Sequence, residues 1–314
     1  MRRMPSLAVA VVGVGVVLGA ITATVVASQD QAAQSPYLVE LDAVVLDGAD
    51  RPVAGLRRED FQIKEDGRAV DVKTFDAVAD PDHGGTSVPR SIVLLLDDSG
   101  VGSGNTLAIQ TIARMFVSRM GAPDEFSVVR LNNRRDEAFG DRLEALLRIS
   151  EYRSDALPFF GRETLENALT TLAKVSRTLE AIEHRRKALV CIGVSSVCNA
   201  VEPSGRSSLL WRYWLDAIGA MARANASVYA LVPNGLSTQV ELVSGSIADA
   251  TGGEVFRNTN DVGRVIDIVR RDTGNYYLLG YWPAVSSREL HSIDVTVRKR
   301  GLHVRARRVR GAAS

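Results

Sequence analysis

The sequence feature that most constrains the fold is an apolar run at residues 92–96 that ends in the polar loop Asp97-Asp98-Ser99-Gly100. A strand that is apolar at every position needs cover on both faces, which is typical of parallel sheets. Apolar segments alternate with segments of helical periodicity from there to residue 269. We expect further strands at 126–131, 188–194 and 226–232, and helices at 106–120, 142–149, 164–182, 209–224, 240–250 and 262–269. This alternation predicts an α/β fold with a mainly parallel sheet and helices on both faces.

Strand-like alternation of apolar and polar residues flanks this region on both sides. It covers residues 37–75 before the region and residues 276–306 after it. A β module of about 40 residues is too small to be stable alone. We therefore predict that strands from the two segments share one sheet or sandwich, and these strands are 39–45, 61–63, 293–297 and 302–306.

These changes of pattern set the expected domain bounds. A polar run, Asp80-Pro81-Asp82-His83-Gly84-Gly85-Thr86, separates the first β segment from the α/β region. The expected bounds are 1–27 for a signal peptide or anchor, 28–36 and 79–90 for linkers, 37–78 for the N-terminal β module, 91–273 for the α/β domain, and 274–311 for the strands that complete the β module.

The first 27 residues differ in kind from the rest of the chain. Arg2 and Arg3 precede an uncharged stretch at residues 6–26, and Val25-Val26-Ala27 offers the small residues that a signal peptidase reads. This pattern predicts a secretory signal peptide. The alternative is an uncleaved anchor, since an apolar stretch of about 20 residues can span a bilayer. In both cases we expect the body of the protein to be exported, as a periplasmic, secreted or outward-facing anchored protein.

Charge and cysteine content limit the classes of function. The formal net charge of +1 argues against a protein that binds nucleic acid or another polyanion over its whole surface. The chain has two cysteines, Cys191 in a predicted strand and Cys198 in the loop after it. In an oxidising compartment they could form a disulfide, and two unpaired cysteines are the alternative.

The loop after the 92–96 strand is the candidate ligand site. In open α/β sheets, ligands bind beyond the carboxyl ends of the strands. Asp97 and Ser99 carry the oxygen atoms that a hard dication such as Mg²⁺ prefers. Asp98 and Gly100 lie beside them as candidate ligand-binding residues. The alternative is structural, with Asp97 capping the following helix and Ser99 satisfying loop amides.

Short motifs that occur in order along the exported part resemble the VWFA-related proteins that are abundant in acidobacteria. The motifs are Val45-Leu46-Asp47, Arg51-Pro52-Val53-Ala54-Gly55-Leu56, Asp60-Phe61, Glu65-Asp66-Gly67, Asp97-Asp98-Ser99-Gly100, Thr251-Gly252-Gly253, Asn258-Thr259-Asn260-Asp261 and Tyr276-Tyr277-Leu278-Leu279-Gly280-Tyr281. The resemblance implies a Rossmann-like, von Willebrand A-type domain framed by β segments. It implies little about function, because the family itself is largely uncharacterised.

The resemblance also implies a Mg²⁺ site whose first three ligands come from the loop after the apolar strand. Asp97 and Ser99 match the first two ligands. Val101 stands where the family has a second serine, and valine offers no oxygen.

The remaining ligands of that site match no better. Glu163 occupies the position of the family's ligating threonine, with Thr164 one residue late. The final aspartate corresponds to Val194 or Gly193, and neither can ligate through a side chain. We therefore expect a degenerate site that binds Mg²⁺ weakly, unless Glu163 supplies a replacement carboxylate.

No other motif indicates an enzyme. Residues 100–104 form a glycine-rich loop after a strand, but the loop lacks the lysine of a Walker motif. The chain has no Gly-x-Ser-x-Gly nucleophile elbow. A basic C-terminal set predicts either contact with anionic lipid or polysaccharide or the solvated face of two strands. The set is Arg298, Lys299, Arg300, Arg305, Arg307, Arg308 and Arg310.

We therefore expect an exported, non-enzymatic protein that binds a protein or cell-envelope ligand through the A-type domain. We expect no required cofactor, no nucleic-acid partner, and membrane contact only through an uncleaved N-terminal segment. The alternatives are a Mg²⁺-dependent adhesion module in which Glu163 repairs the site, and an enzyme that uses the crevice at the strand ends.

Overall fold

The computed structural model describes residues 38–80, 89–98, 102–131, 138–154, 162–183, 186–193, 208–233, 246–283 and 289–311. The chain divides into a first unit of residues 1–32 and a second unit of residues 33–314. The first unit, which contains the predicted signal peptide or anchor, lies outside the described residues. No helix in the described ranges is long and apolar enough to cross a membrane.

Strands and helices alternate through the middle of the second unit, and strands occupy its two ends. In chain order the described elements are β1 (Val39–Leu46), β2 (Phe61–Glu65), β3 (Arg68–Val70), β4 (Thr74–Val78), β5 (Arg90–Leu96), α1 (Thr106–Arg119), β6 (Glu125–Arg130), α2 (Arg142–Glu151), α3 (Arg162–Glu180), β7 (Arg186–Ile192), α4 (Leu209–Ala224), β8 (Ala226–Pro233), α5 (Ile247–Ala250), β9 (Glu254–Thr259), α6 (Val262–Gly274), β10 (Tyr276–Tyr281), β11 (His291–Val297), β12 (His303–Ala306) and β13 (Val309–Arg310).

The central sheet is parallel and has the strand order β6-β5-β7-β8-β9. Every residue of β5 is buried, because alternate side chains enter two different cores. α3, α4 and α5 cover one face of the sheet, and α1, α2 and α6 cover the other. This is the Rossmann-like, von Willebrand A-type arrangement that the sequence predicted.

Strands from the two ends of the second unit form a β-sandwich. Its antiparallel sheets have the orders β12-β1-β10-β4 and β13-β11-β2-β3. Their facing sides share one core that includes Leu41, Ile63 and Leu279. β1 pairs with both β10 and β12, and β2 pairs with β11. The predicted sharing of strands between the N- and C-terminal segments is therefore confirmed.

The structure corrects three expectations about single elements. Residues 254–259 form β9 at one edge of the parallel sheet, and no strand was predicted there. The helix predicted at 240–250 is not continuous, because Ser246 is the extended N-cap of α5. Residues 240–245 lie outside the described ranges. α6 continues past its predicted end at residue 269 to Gly274.

The sandwich packs on the α/β domain through a buried ion pair. Asp42 of β1 pairs with Arg186 at the start of β7, and both side chains are buried. The guanidinium of Arg186 also lies 4.9 Å from the centre of the Tyr276 ring and donates to Ser227 Oγ at 3.0 Å. A charge from the α/β domain therefore lies inside the junction between the two modules.

Three of the C-terminal basic residues are buried or half-buried, so the expectation of a solvated or polyanion-binding face is wrong for them. Arg305 pairs with Asp272 at 2.7 Å. Arg310 pairs with Glu65 on β2, with Nε 2.7 Å from the carboxylate. Arg307 is 6% exposed. The exposed remainder of the set is Arg298, Lys299, Arg300 and Arg308.

Candidate functional site

Asp97 directly follows β5 at the carboxyl edge of the parallel sheet. The chain continues to β6 on one side of β5 and later returns to β7 on the other side, so this edge is the switch point where open α/β sheets bind ligands. Asp97 is 2% exposed and Asp98 is 9% exposed. Ser99, Gly100 and Val101, the other predicted members of the loop, lie outside the described residues.

The backbone of Asp97 is held from two sides. Its N–H donates to the carbonyl of Ile192 at 3.1 Å. The Tyr152 hydroxyl, from the residue after α2, donates to the carbonyl of Asp97. Burial, and then the charges of Asp97 and Asp98, raise the pKa of Tyr152, so its hydroxyl keeps its proton at neutral pH. Asp97 is therefore fixed at the mouth of the crevice by β7 and by the end of α2.

Asp97 does not cap the helix that follows, so that part of the structural alternative is wrong. α1 begins at Thr106, and its N-cap residue is Asn105. A short 3-10 turn at Ser103–Asn105 separates the loop from the helix.

Gly193, the residue after β7, packs directly against Asp97. A Cβ atom at Gly193 would lie 2.2 Å from the Asp97 Cβ and 3.0 Å from its Oδ2 atom. The φ angle of +147° is also one that residues with side chains rarely adopt. Position 193 therefore cannot hold a ligating side chain, and Val194, the other candidate for the final ligand, lies outside the described residues.

A cavity of about 10 Å³ lies at the carboxyl edge of the parallel sheet, in the crevice beside Asp97. Asp97, Gly193 and apolar residues such as Cys191, Ala230 and Leu231 line it. A cavity of this size holds about one water molecule. Mg²⁺ in proteins usually keeps several of its waters. The described wall of the crevice therefore leaves room for about one water molecule beside Asp97.

The predicted replacement ligands lie at the start of α3. Glu163 lies in the first turn of α3 and is exposed. Among the described residues, no hydrogen bond or ion pair joins Glu163 to Asp97. The side chain of Thr164 lies outside the described part. No group of three or more His, Cys, Asp or Glu side chains in the described ranges could hold a metal ion.

A cleft of about 790 Å³ lies between the sandwich and the α/β domain, and no sequence pattern predicted it. Asp50, His303 and Arg305 line it from the sandwich, and Arg119 and Arg264 line it from α1 and α6. These residues are scattered over the sequence and share no spacing, so no local pattern could have identified the cleft.

Most of the charges that line this cleft are paired. Arg305 pairs with Glu254, and His303 lies 3.4 Å from Asp50. The guanidinium of Arg271 donates to the Asp50 carbonyl at 2.6 Å. The exposed Arg264 side chain has no ion pair among the described residues. The cleft therefore offers a polar surface that is lined both by cations, such as Arg119 and Arg264, and by carboxylates, such as Asp261 and Asp267.

Comparison with known proteins adds little to this site. No family model matches the chain, and no curated protein matches it. BatB from Bacteroides thetaiotaomicron is 11% identical, with a TM-score of 0.37, over 58% of this chain and 98% of that one. Proximal thread matrix protein 1 from the mussel byssus is 11% identical, with a TM-score of 0.43. The match covers 74% of this chain and 51% of that one. The manganese-loaded TRAP protein of Plasmodium vivax is 13% identical, with a TM-score of 0.36, over 80% of this chain and 100% of that one.

Proposed function

We propose that this chain is an exported, non-enzymatic interaction protein of the VWFA-related type, whose A-type domain binds a protein or cell-surface ligand without a required metal ion. The contact between Gly193 and Asp97 is the main support. One of the two positions that could supply the final metal ligand has no room for a side chain. Without a complete set of metal ligands, binding of the partner depends on shape and hydrogen bonding instead of on coordination by a dication.

The cleft between the modules supports a role in recognition. Its volume of about 790 Å³ lies within the usual range of ligand sites. Arg264 supplies a cation that no carboxylate of the described residues neutralises. A partner that offers polar groups of both signs fits this surface, because Asp261 and Asp267 line it together with Arg264.

The state of the cysteines supports export. Cys191 is disulfide-bonded, and Cys198, the other cysteine of the chain, lies outside the described residues. Disulfides persist in oxidising compartments and are rare in the cytosol.

Capture of envelope proteins on immobilised residues 28–314 tests the proposal. We expect the same partner to be retained at the same level with Mg²⁺ and with EDTA. Retention only with Mg²⁺ would contradict the proposal and favour the metal-dependent adhesion module.

A matched pair of variants locates the partner. Arg264→Ala removes an exposed cation that lines the cleft, whereas Arg270→Ala removes an exposed arginine of the same helix that does not line it. If the partner occupies the cleft, the first variant weakens capture and the second does not. Equal capture by both variants would place the partner elsewhere on the domain.

A further inference from the structure

The short segment that follows α2 binds the chain on both sides of the loop after β5. The Tyr152 hydroxyl donates to the carbonyl of Asp97, the first residue after β5. The Ser154 hydroxyl donates to the carbonyl of Gly102 at 3.1 Å. Asp97 lies before loop residues 99–101, and Gly102 lies directly after them. Two hydroxyls from one three-residue segment therefore hold the backbone at both ends of the loop.

A second hydroxyl orients the side chain of Ser154. The Ser154 N–H donates to Thr106 Oγ1 at 3.2 Å, and the oxygens of the two hydroxyls lie 2.7 Å apart. Because the Ser154 hydroxyl gives its proton to Gly102, Thr106 is the donor in the contact between the hydroxyls. The Gly102 carbonyl also accepts from the Asn105 N–H at 2.9 Å. The network therefore extends from the end of α2 to the start of α1.

The segment that carries these hydroxyls is itself fixed to α1. The buried side-chain amide of Gln110 donates to the carbonyls of Ser150 and Tyr152, at 3.2 and 3.0 Å. The Tyr152 ring is 1% exposed and lies in the same core as the buried face of α1. A side chain enclosed in a packed core has few alternative positions. The Tyr152 hydroxyl therefore stays directed at Asp97.

These hydrogen bonds give the loop a support that needs no ion. Position 193 has no room for a ligating side chain, whereas the carbonyls of Asp97 and Gly102 are bound by hydroxyls of the protein. A loop that is already fixed loses less conformational freedom when a partner binds. Fixing the two ends of the loop in advance therefore favours binding.

We propose that Tyr152 and Ser154 are positioning residues that hold Asp97 and Gly102 in their binding conformation without a metal ion. This inference rests on the proposed function, since it states how the candidate site at Asp97 keeps its form when no dication coordinates it. Neither hydroxyl is needed to contact the partner. Each acts through the backbone carbonyl that it binds.

Amide hydrogen exchange of the protein in EDTA, followed by NMR, tests the role of the two hydroxyls. The reporters are the N–H groups of Asp97 and Asn105, which donate to the carbonyls of Ile192 and Gly102. Tyr152→Phe should speed exchange at Asp97 about fivefold, and Ser154→Ala should do the same at Asn105, as expected for the loss of one buried hydrogen bond.

Matched controls remove buried hydroxyls that support nothing. Tyr229 and Ser176 are as buried as Tyr152, and their hydroxyls make no hydrogen bond to the described residues. Tyr229→Phe and Ser176→Ala should therefore leave both reporter amides unchanged. Unchanged reporters in Tyr152→Phe and Ser154→Ala would overturn the proposal. It would also be overturned if exchange in β8 rose as much as at the reporters, because the hydroxyls would then stabilise only the fold as a whole.

A magnesium comparison separates failure of this inference from failure of the proposed function. In the unaltered protein, exchange at Asp97 and Asn105 should be the same in EDTA and in millimolar Mg²⁺. Slower exchange in Mg²⁺ would contradict metal-free binding, and with it the proposed function. Equal exchange in EDTA and Mg²⁺, together with unchanged reporters in Tyr152→Phe and Ser154→Ala, would refute only the role of the two hydroxyls.

Discussion

At the scale of single residues, the contact between Gly193 and Asp97 defines the candidate site. Asp97 could be identified from the sequence, because a polar loop after a fully apolar strand marks the carboxyl edge of a parallel sheet. The tight packing of Gly193 could not, because it depends on the spacing of β5 and β7 at that edge. The sequence showed only that glycine has no ligating side chain, whereas the structure shows that position 193 has no room for a side chain.

Substituting Gly193 should destabilise the fold. Gly193→Ala places a Cβ 2.2 Å from that of Asp97 at a φ of +147°, so we expect a loss of roughly 2 kcal/mol or more in the free energy of unfolding. Urea denaturation measures this loss. Gly48→Ala is the matched control, because nothing lies within 4 Å of a Cβ at Gly48. Equal stability of the two variants would contradict the packing described here.

At the scale of elements, the sequence predicted the bounds of a helix with clear apolar periodicity, and it did not predict a short strand at the edge of the parallel sheet. The helix at 209–224 has the predicted bounds, because Ser208 caps its start and Asn225 ends it in the left-handed conformation. β9 was missed because it is six residues long and mostly half-buried, so its alternation is weak. The C-terminal arginines were misassigned because sequence alone does not show that Asp272 and Glu65 lie opposite them.

The ion pair between β1 and β7 should contribute strongly to the junction of the modules. Asp42→Asn leaves the buried Arg186 without a full charge partner, so we expect a loss of about 3 kcal/mol in the free energy of unfolding. The control is Asp216→Asn, which breaks a half-exposed pair with Arg177 and should cost less than about 1 kcal/mol. Equal losses in urea denaturation of the two variants would show that the buried pair has no special role.

At the scale of the whole molecule, the strands before and after the α/β domain form a sandwich, and the α/β domain is inserted between them. The alternation of apolar residues predicted both modules and their shared strands. The cleft and the buried charges between the modules could not be predicted, because they arise from residues that are distant in sequence and that meet only after both modules have folded.

Stability should fall in acid. Hydrogen bonds from the Arg51 backbone N–H, the Arg51 side chain and the Ala49 backbone N–H lower the pKa of Asp47 to about 2. A hydrogen bond with His291 lowers the pKa of Asp66 below its usual 3.8. Because the folded-state pKa values are depressed, this stabilisation is present above pH 3.8 and is lost as the pH falls towards 2. Urea midpoints measured from pH 6 to pH 2 should show the decrease.

Two variants test the assignment of this acid sensitivity. Asp47→Asn should flatten the pH dependence, and Asp294→Asn, at an exposed strand position, should leave it unchanged. The same pH profile for both variants would contradict a role for Asp47.

We propose that the A-type domain binds its partner without magnesium, and calorimetric titration of residues 28–314 with millimolar Mg²⁺ tests this proposal. We expect no saturable heat for the unaltered chain, and a gain of Mg²⁺ binding when Val101→Ser and Val194→Asp restore oxygen ligands. Saturable binding by the unaltered chain that Asp97→Ala abolishes would contradict it, and Glu163 would then be the residue that repairs the site.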